Sequence, residues 1–274
     1  MSDVRETGLM AELTDRMAAA WTPAAIARGA VAAIDLDALK ANVSRCHEIA
    51  HGSSIMVVVK ADAYGHGLIQ CGRAAREAGA QWLGVALLEE AIRLREAGVD
   101  GRILAWLATP GAPFARCLDN DIDISVSTLW ALEEIVQAVA VTGIQARIHL
   151  KVDTGLSRSG ANASDWPTLV QAARNAERDG TVRVVGIWSH FAAADEPRHP
   201  SVARQQLSFD HAVRHALDAG IDPEVRHMAN SAAMLELPES HHNLVRAGIA
   251  VYGLSPNSTP AAELGLTPVM SLRA

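Results

Sequence analysis

The sequence predicts an α/β fold, a (β/α)8 barrel of the TIM type, and three observations carry that prediction. Short runs rich in Val, Ile and Leu recur along the chain, apolar on both faces as buried parallel strands are. Amphipathic helical segments alternate with them, which implies right-handed crossovers and a parallel sheet. The helical segments stop at Gly79, Gly98, Gly143, Gly180 and Gly220, each where a left-handed residue would close a helix before the next strand. An open doubly wound sheet is the structural alternative. It usually shows G-x-G-x-x-G, and here Gly65-x-Gly67 is followed by Gln70 where the third glycine would stand.

Taken in order, residues 1–30 form a polar N-terminal extension carrying Asp3, Glu6, Glu12 and Asp15, too poor in apolar residues for a signal peptide. Val31–Leu36 reads as a strand, and Asp37 as the N-cap of a helix running to about Ala50. The eight barrel strands are then Ser54–Lys60, Gln81–Ala86, Arg102–Leu107, Asp121–Val126, Ala146–Val152, Arg183–Ser189, Glu224–Ala229 and Asn243–Arg246. Leu87–Ala97 and Leu129–Val141 are examples of the helices between them. The barrel closes by about residue 254. Residues 255–274 comprise a Ser/Pro/Asn linker and a strand from Pro268, expected to lack a partner and to open a truncated second domain.

Composition narrows the function. The 274 residues are 49% hydrophobic but only 4% aromatic, so aliphatic residues fill the core, and the net charge of −7 offers no basic face for nucleic acid. No apolar run reaches membrane-spanning length. Cys46, Cys71 and Cys117 are odd in number and widely spaced, as expected of reduced thiols in the cytoplasm. The pairs His47/His51 and His211/His215 could clamp a metal at i, i+4, but neither has an obvious third ligand, and no metal is expected. Asp153-Thr154-Gly155 spells the aspartic protease triplet once, where that chemistry needs two such carboxylates.

Barrel enzymes place their sites at the C-terminal ends of the strands. Lys60 ends the first strand, and Lys151 through Arg158 follow the fifth. His190 follows the sixth, His227, Asn230 and Ser231 the seventh, and Arg246, Gly248 and Ile249 the eighth. Singly, each has an ordinary explanation. Lys60 could snorkel to solvent, Ser231 could be a plain N-cap, and Gly248 a loop glycine. Arg246 could make a rim salt bridge, and His190 and His227 could be hydrogen-bonded core residues. Together they favour a site. A half-buried lysine is a nucleophilic amine of lowered pKa. A helix start and close backbone at the ends of strands seven and eight suit a phosphate. A lysine opposite a phosphate pocket is the constellation that holds pyridoxal 5'-phosphate.

Val58-Val-Lys-Ala-Asp-Ala-Tyr-Gly-His-Gly67 resembles the cofactor-lysine signature of bacterial alanine racemases. Lys151 to Arg158, the His190 segment, His227 to Ser231 and Val245 to Gly253 are similar to that family's later blocks, in the family's order. The resemblance implies the barrel of the alanine racemase N-terminal domain and interconversion of L- and D-alanine for peptidoglycan. It implies an aldimine on Lys60, which is also one of two bases, and phosphate contacts from Tyr64, Ser231, Gly248 and Ile249. Arg158 would bind the substrate carboxylate. Arg246 would face the pyridine nitrogen in a network with His190 and His227, with Asn230 behind them. Lys151, carbamylated in some members, would steady Arg158. Full-length members form homodimers, and a tyrosine of their C-terminal β-domain supplies the second base. That domain is expected to be absent here, so two-base catalysis by this chain alone is expected to be impaired. The alternative is a stand-alone pyridoxal-phosphate barrel serving homeostasis without racemase activity.

Overall fold

The structure, a computed structural model, describes residues 29–273, so positions 1–28 of the N-terminal extension, and Ala274, lie outside the described residues. β1 (Val31–Ile34) leads into helix α1 (Leu36–Ile49). The cap is Asp35 rather than the expected Asp37. Asp35 has the extended backbone a cap needs, and its carboxylate accepts the Ala38 N–H at 2.9 Å. Asp37 sits inside the first turn, where a negative charge complements the helix dipole.

The barrel strands are β2 (Ser54–Val58), β3 (Trp82–Leu87), β4 (Arg102–Leu107), β5 (Asp123–Val126), β6 (Ala146–Lys151), β7 (Val182–Trp188), β8 (Val225–His227) and β9 (Leu244–Ala247). All pair in parallel, in the order β9-β2-β3-β4-β5-β6-β7-β8. The two ends of that order meet without a full ladder. The Arg246 N–H reaches the Ala229 carbonyl at 3.0 Å, and the Asn243 side chain accepts the Arg226 N–H at 2.7 Å. The result is a nearly closed barrel. Several strands are shorter than expected. The first stops at Val58, although Val59 N–H still bonds Gly84 O at 2.9 Å, because the chain turns sharply after it. Between strands lie α2 (Leu68–Glu77), α3 (Leu88–Glu96), α4 (Phe114–Asp119), α5 (Leu129–Thr142), α6 (Trp166–Arg178), α7 (Pro200–Asp218) and α8 (Ser231–Glu236). Gly143 ends α5 in the left-handed conformation its position predicts, at φ 70°, a backbone that glycine adopts at little cost.

The core divides by strand face. Ile55, Val57 and Val59 point outward and join the large cluster with the helices, while Met56, Trp82, Leu104, Val185, Val225 and Leu244 pack inside the ring of strands. The final strand, β10 (Met270–Arg273), is not partnerless. It pairs antiparallel with β1, Val31 opposite Arg273 and Ile34 opposite Met270. The expectation failed because β1 stands apart from the barrel and offers a free edge. The approach to β10 packs back on the barrel: Asn42 bonds both the N–H and the carbonyl of Thr267, and Leu266 and Val269 are buried.

Candidate active site

Lys60 begins a turn of unusual hand. Ala61, Asp62, Ala63 and Tyr64 are four consecutive non-glycine residues at φ between 52° and 55°. A left-handed residue costs about 1–2 kcal/mol, so the surroundings must hold this turn in place. Glu90, at the start of α3, accepts the Ala61 N–H at 2.6 Å and, with its other oxygen, the N–H groups of Ala86 and Leu87 at 2.9 and 3.0 Å. Asp62 accepts the Leu68 N–H at 2.9 Å. The turn folds Tyr64 back over the strand end, so that the Lys60 amine lies 5.8 Å from its ring centroid. Burial and the nearby Arg158 lower the Lys60 pKa, partly offset by Glu90.

Opposite stands the junction of β8 and β9. Asn230 caps α8, its side chain accepting the Ala233 N–H at 3.0 Å. Ser231 is therefore not the cap. It is the first residue of α8, and its buried hydroxyl accepts the N–H groups of Gly248 (2.9 Å) and Ala250 (3.3 Å), leaving its hydrogen free to donate. The Tyr64 ring packs on Tyr252 at 4.9 Å between centroids. A Cβ on Gly248 would come within 2.7 Å of the Tyr64 hydroxyl, so only glycine allows that approach. Between these groups lies a cavity of about 290 Å³. Lys60, Tyr64, His190, Asn230, Ser231, Arg246, Gly248 and Ile249 all line it.

Arg246 is the buried cation of the site. It donates to the carbonyls of Ser189, His227 and Met228 and to Nδ1 of His190 (3.0 Å) and of His227 (3.1 Å). Among the described residues no carboxylate pairs with it. Burial, then Arg158, lowers its pKa to about 9. Burial and Arg246 pull His190 down to about 2, and His227 is held far below the ordinary imidazole value for the same reasons, so both rings are neutral. Trp188 stacks flat on His227, with Arg246 against its ring at 4.9 Å.

Three expected site residues lie off the cavity wall. His227 sits behind Arg246. Lys151 is buried against Trp188 and hydrogen-bonds Ser159; burial, Arg246 and Arg158 bring its pKa to about 8. Arg158 is exposed on the loop after β6, yet its charge is felt by Lys60, Lys151, His190 and Arg246 alike. That loop is held by Asp153, whose carboxylate accepts the N–H groups of Gly155 and Ser157. Sequence reasoning missed Trp106 and Asp195 on the cavity wall, and Glu90 beneath the lysine turn. Glu90 carried a signal, a carboxylate three residues into a helix after a strand.

A residue set of this kind suits pyridoxal 5'-phosphate. The cavity is close to the lower end of small-molecule sites, roughly 300–1,000 Å³. It joins an amine of lowered pKa, close-approach backbone with a free hydroxyl for a phosphate, and a buried guanidinium without an anion. Comparison with known proteins points to one family. Residues 34–256 match the family model described as alanine racemase, N-terminal domain. The chain is 53% identical over 251 residues to an alanine racemase of Streptomyces coelicolor, the match covering 89% of this chain and 64% of that protein. The crystal structure of alanine racemase from Streptomyces lavendulae superposes with a TM-score of 0.89 at 54% identity, over 89% of this chain and 65% of that one. That of the Bacillus anthracis enzyme, with bound L-Ala-P, has a TM-score of 0.78 at 30% identity, over 89% of this chain and 63% of that one. The chain thus spans slightly less than two thirds of the length of these relatives. It belongs to the alanine racemase family, and its barrel corresponds to that family's N-terminal domain.

Proposed function

We propose that this chain binds pyridoxal 5'-phosphate and takes part in the interconversion of L- and D-alanine, with alanine as its small-molecule substrate. The observation that carries the reading is the convergence of Lys60, Tyr64, Ser231, Gly248 and Arg246 on one cavity at the C-terminal end of the barrel. The Bacillus anthracis relative with bound L-Ala-P supports it. Tyr64, Ser231 and the backbone of Gly248 and Ile249 would hold the phosphate, and Lys60 would bind the aldehyde carbon. When bound, the cofactor supplies an electron sink for charge developing at the substrate Cα.

The chain's own residues then divide the work. Lys60, with its lowered pKa, holds or takes the Cα proton on one face. Arg158 receives the substrate carboxylate. Arg246 donates a hydrogen bond to the ring nitrogen without giving up its proton, which keeps the sink weak and favours return of the proton to Cα. A second acid–base group on the other face is needed, and we assign it to the further third of the relatives' length, in a homodimer. Residues 1–274 alone should therefore exchange the Cα hydrogen of one enantiomer faster than they racemise it. Proton NMR of L- and D-alanine in deuterated water, with cofactor added, measures both rates. Loss of Cα hydrogen from neither enantiomer, or exchange unaffected by Lys60→Ala, would contradict the reading.

A further inference from the structure

The acceptors around Arg246 are neutral, but a line of hydrogen bonds continues behind one of them. His227 Nε2 lies 3.0 Å from His149 Nδ1, and His149 Nε2 lies 3.3 Å from Asp123 Oδ2. Asp123 is fully buried on β5, where its oxygens also take Arg102 and Arg147 at 2.6 Å each. The line thus crosses the barrel interior from β9 through β8 and β6 to β5. The reaction assigned above uses neither Asp123 nor His149.

The donors and acceptors can be counted. Arg246 has only N–H donors, so His227 Nδ1 must present a lone pair. An ionised carboxylate only accepts, so His149 Nε2 must carry a hydrogen. A neutral imidazole has one of each, which makes His149 Nδ1 an acceptor and His227 Nε2 a donor. All three bonds then run the same way, from Arg246 to Asp123. The other tautomer of either ring would set two hydrogens or two lone pairs face to face. Burial keeps both rings neutral, against the pull of Asp123 on His149. Asp123 stays ionised: burial pushes its carboxyl up, but His149 and Arg102 hold it below the usual carboxylate range. The backbone makes room for this line. Register slips between Ile148 and His149, and a Cβ on Gly186 would lie 2.1 Å from His149 Nδ1.

We propose that Asp123 is a positioning residue for Arg246, acting through the fixed tautomers of His149 and His227. With both terminal nitrogens of the guanidinium engaged, Nε–H is the donor it can present to the cavity. The final link, from Arg246 to the cofactor ring, rests on the function proposed above; the tautomer order does not. A carboxylate that merely clamps Arg102 and Arg147 would affect stability but leave the nitrogen shifts of His227 unmoved.

Nitrogen-15 NMR of the histidine-labelled chain, without cofactor, between about pH 6.5 and 8 tests this directly. Both rings should show a protonated Nε2 and a bare Nδ1. A protonated Nδ1 on either ring, or a mixture, overturns the proposal. In Asp123→Asn, His227 keeps the tautomer that Arg246 imposes, but its nitrogen shifts should move although it does not touch residue 123, as its hydrogen bonds weaken down the line. Unchanged His227 shifts also overturn the proposal. Should that variant not fold, two others apply. His149→Gln keeps a donor toward Asp123 and an acceptor toward His227, whereas His149→Phe keeps neither. Affinity for pyridoxal 5'-phosphate should fall about fivefold or more in His149→Phe and stay within about twofold in His149→Gln. Equal effects of the two, on His227 and on affinity, would overturn the proposal. Failure of the unaltered chain to bind cofactor would instead count against the proposed function and leave the tautomer result standing.

Discussion

Glu90 accepts the Ala61 N–H at 2.6 Å, and through that bond α3 holds the left-handed turn that follows Lys60. The same carboxylate takes Ala86 and Leu87 N–H groups, so one side chain ties the end of β3 to the lysine. Glu90→Ala strands three N–H donors in partly buried surroundings. It should cost about 1–3 kcal/mol in urea denaturation and slow cofactor uptake. Glu90→Gln, which keeps one accepting oxygen, should lose less of both. Equal losses would mean that the carboxylate is not what holds the turn.

The fit of Tyr64 against Gly248 makes a paired prediction. Gly248→Ala puts a methyl 2.7 Å from the tyrosine hydroxyl and should weaken binding of pyridoxal 5'-phosphate by about tenfold. Adding Tyr64→Phe removes the clashing oxygen but also the hydrogen bond proposed from it to the phosphate. Binding titrations should then show the double variant losing less than the sum of the two single losses. Strict additivity would show that the two do not share the cofactor phosphate.

Lys151 should react with carbon dioxide more readily as pH rises through its value of about 8, because only the neutral amine adds to it, releasing a proton. The arginines that disfavour its ammonium, Arg246 and Arg158, would favour the negative carbamate. Carbon-13 NMR with labelled bicarbonate should show a carbamate signal that grows from about pH 7 to 9 and vanishes in Lys151→Ala. A signal that survives that substitution would place the carbamate elsewhere.

Stability should fall on mild acidification. His149, His190 and His227 are held neutral by burial, with folded pKa values lowered below the ordinary 6.5. The unfolded chain therefore binds more protons than the folded one as pH drops below about 6.5. Each ring then removes about 1.4 kcal/mol of stability per pH unit until its own folded value is reached. Thermal melts between pH 7.5 and 5.5 should show a falling midpoint. A flat profile would mean that these rings accept protons in place.

The barrel was legible because its cues are local. Buried strands such as Arg102–Leu107 announce themselves as apolar runs, and glycines such as Gly143 mark where helices stop. The cavity residues were legible as polar breaks at strand ends, and Lys60, Ser231 and Arg246 do meet there. Pairings between distant segments were not legible. β10 finds β1 only when the fold brings the two ends of the barrel domain together. Asp123 and His149 each stand as a titratable residue within a strand, and nothing local shows that they share one interior. Ile122-Asp123-Ile124 and Ile148-His149-Leu150 held the available hint, a titratable group between two core aliphatics.

The central claim is that Lys60 is the residue that holds the cofactor. Incubating the chain with pyridoxal 5'-phosphate, reducing with borohydride, digesting and mapping by mass spectrometry measures it most directly. The expected result is a phosphopyridoxyl mass on the peptide containing Lys60, lost in Lys60→Ala. Label on Lys151 or another lysine instead, or none at all, would contradict the account.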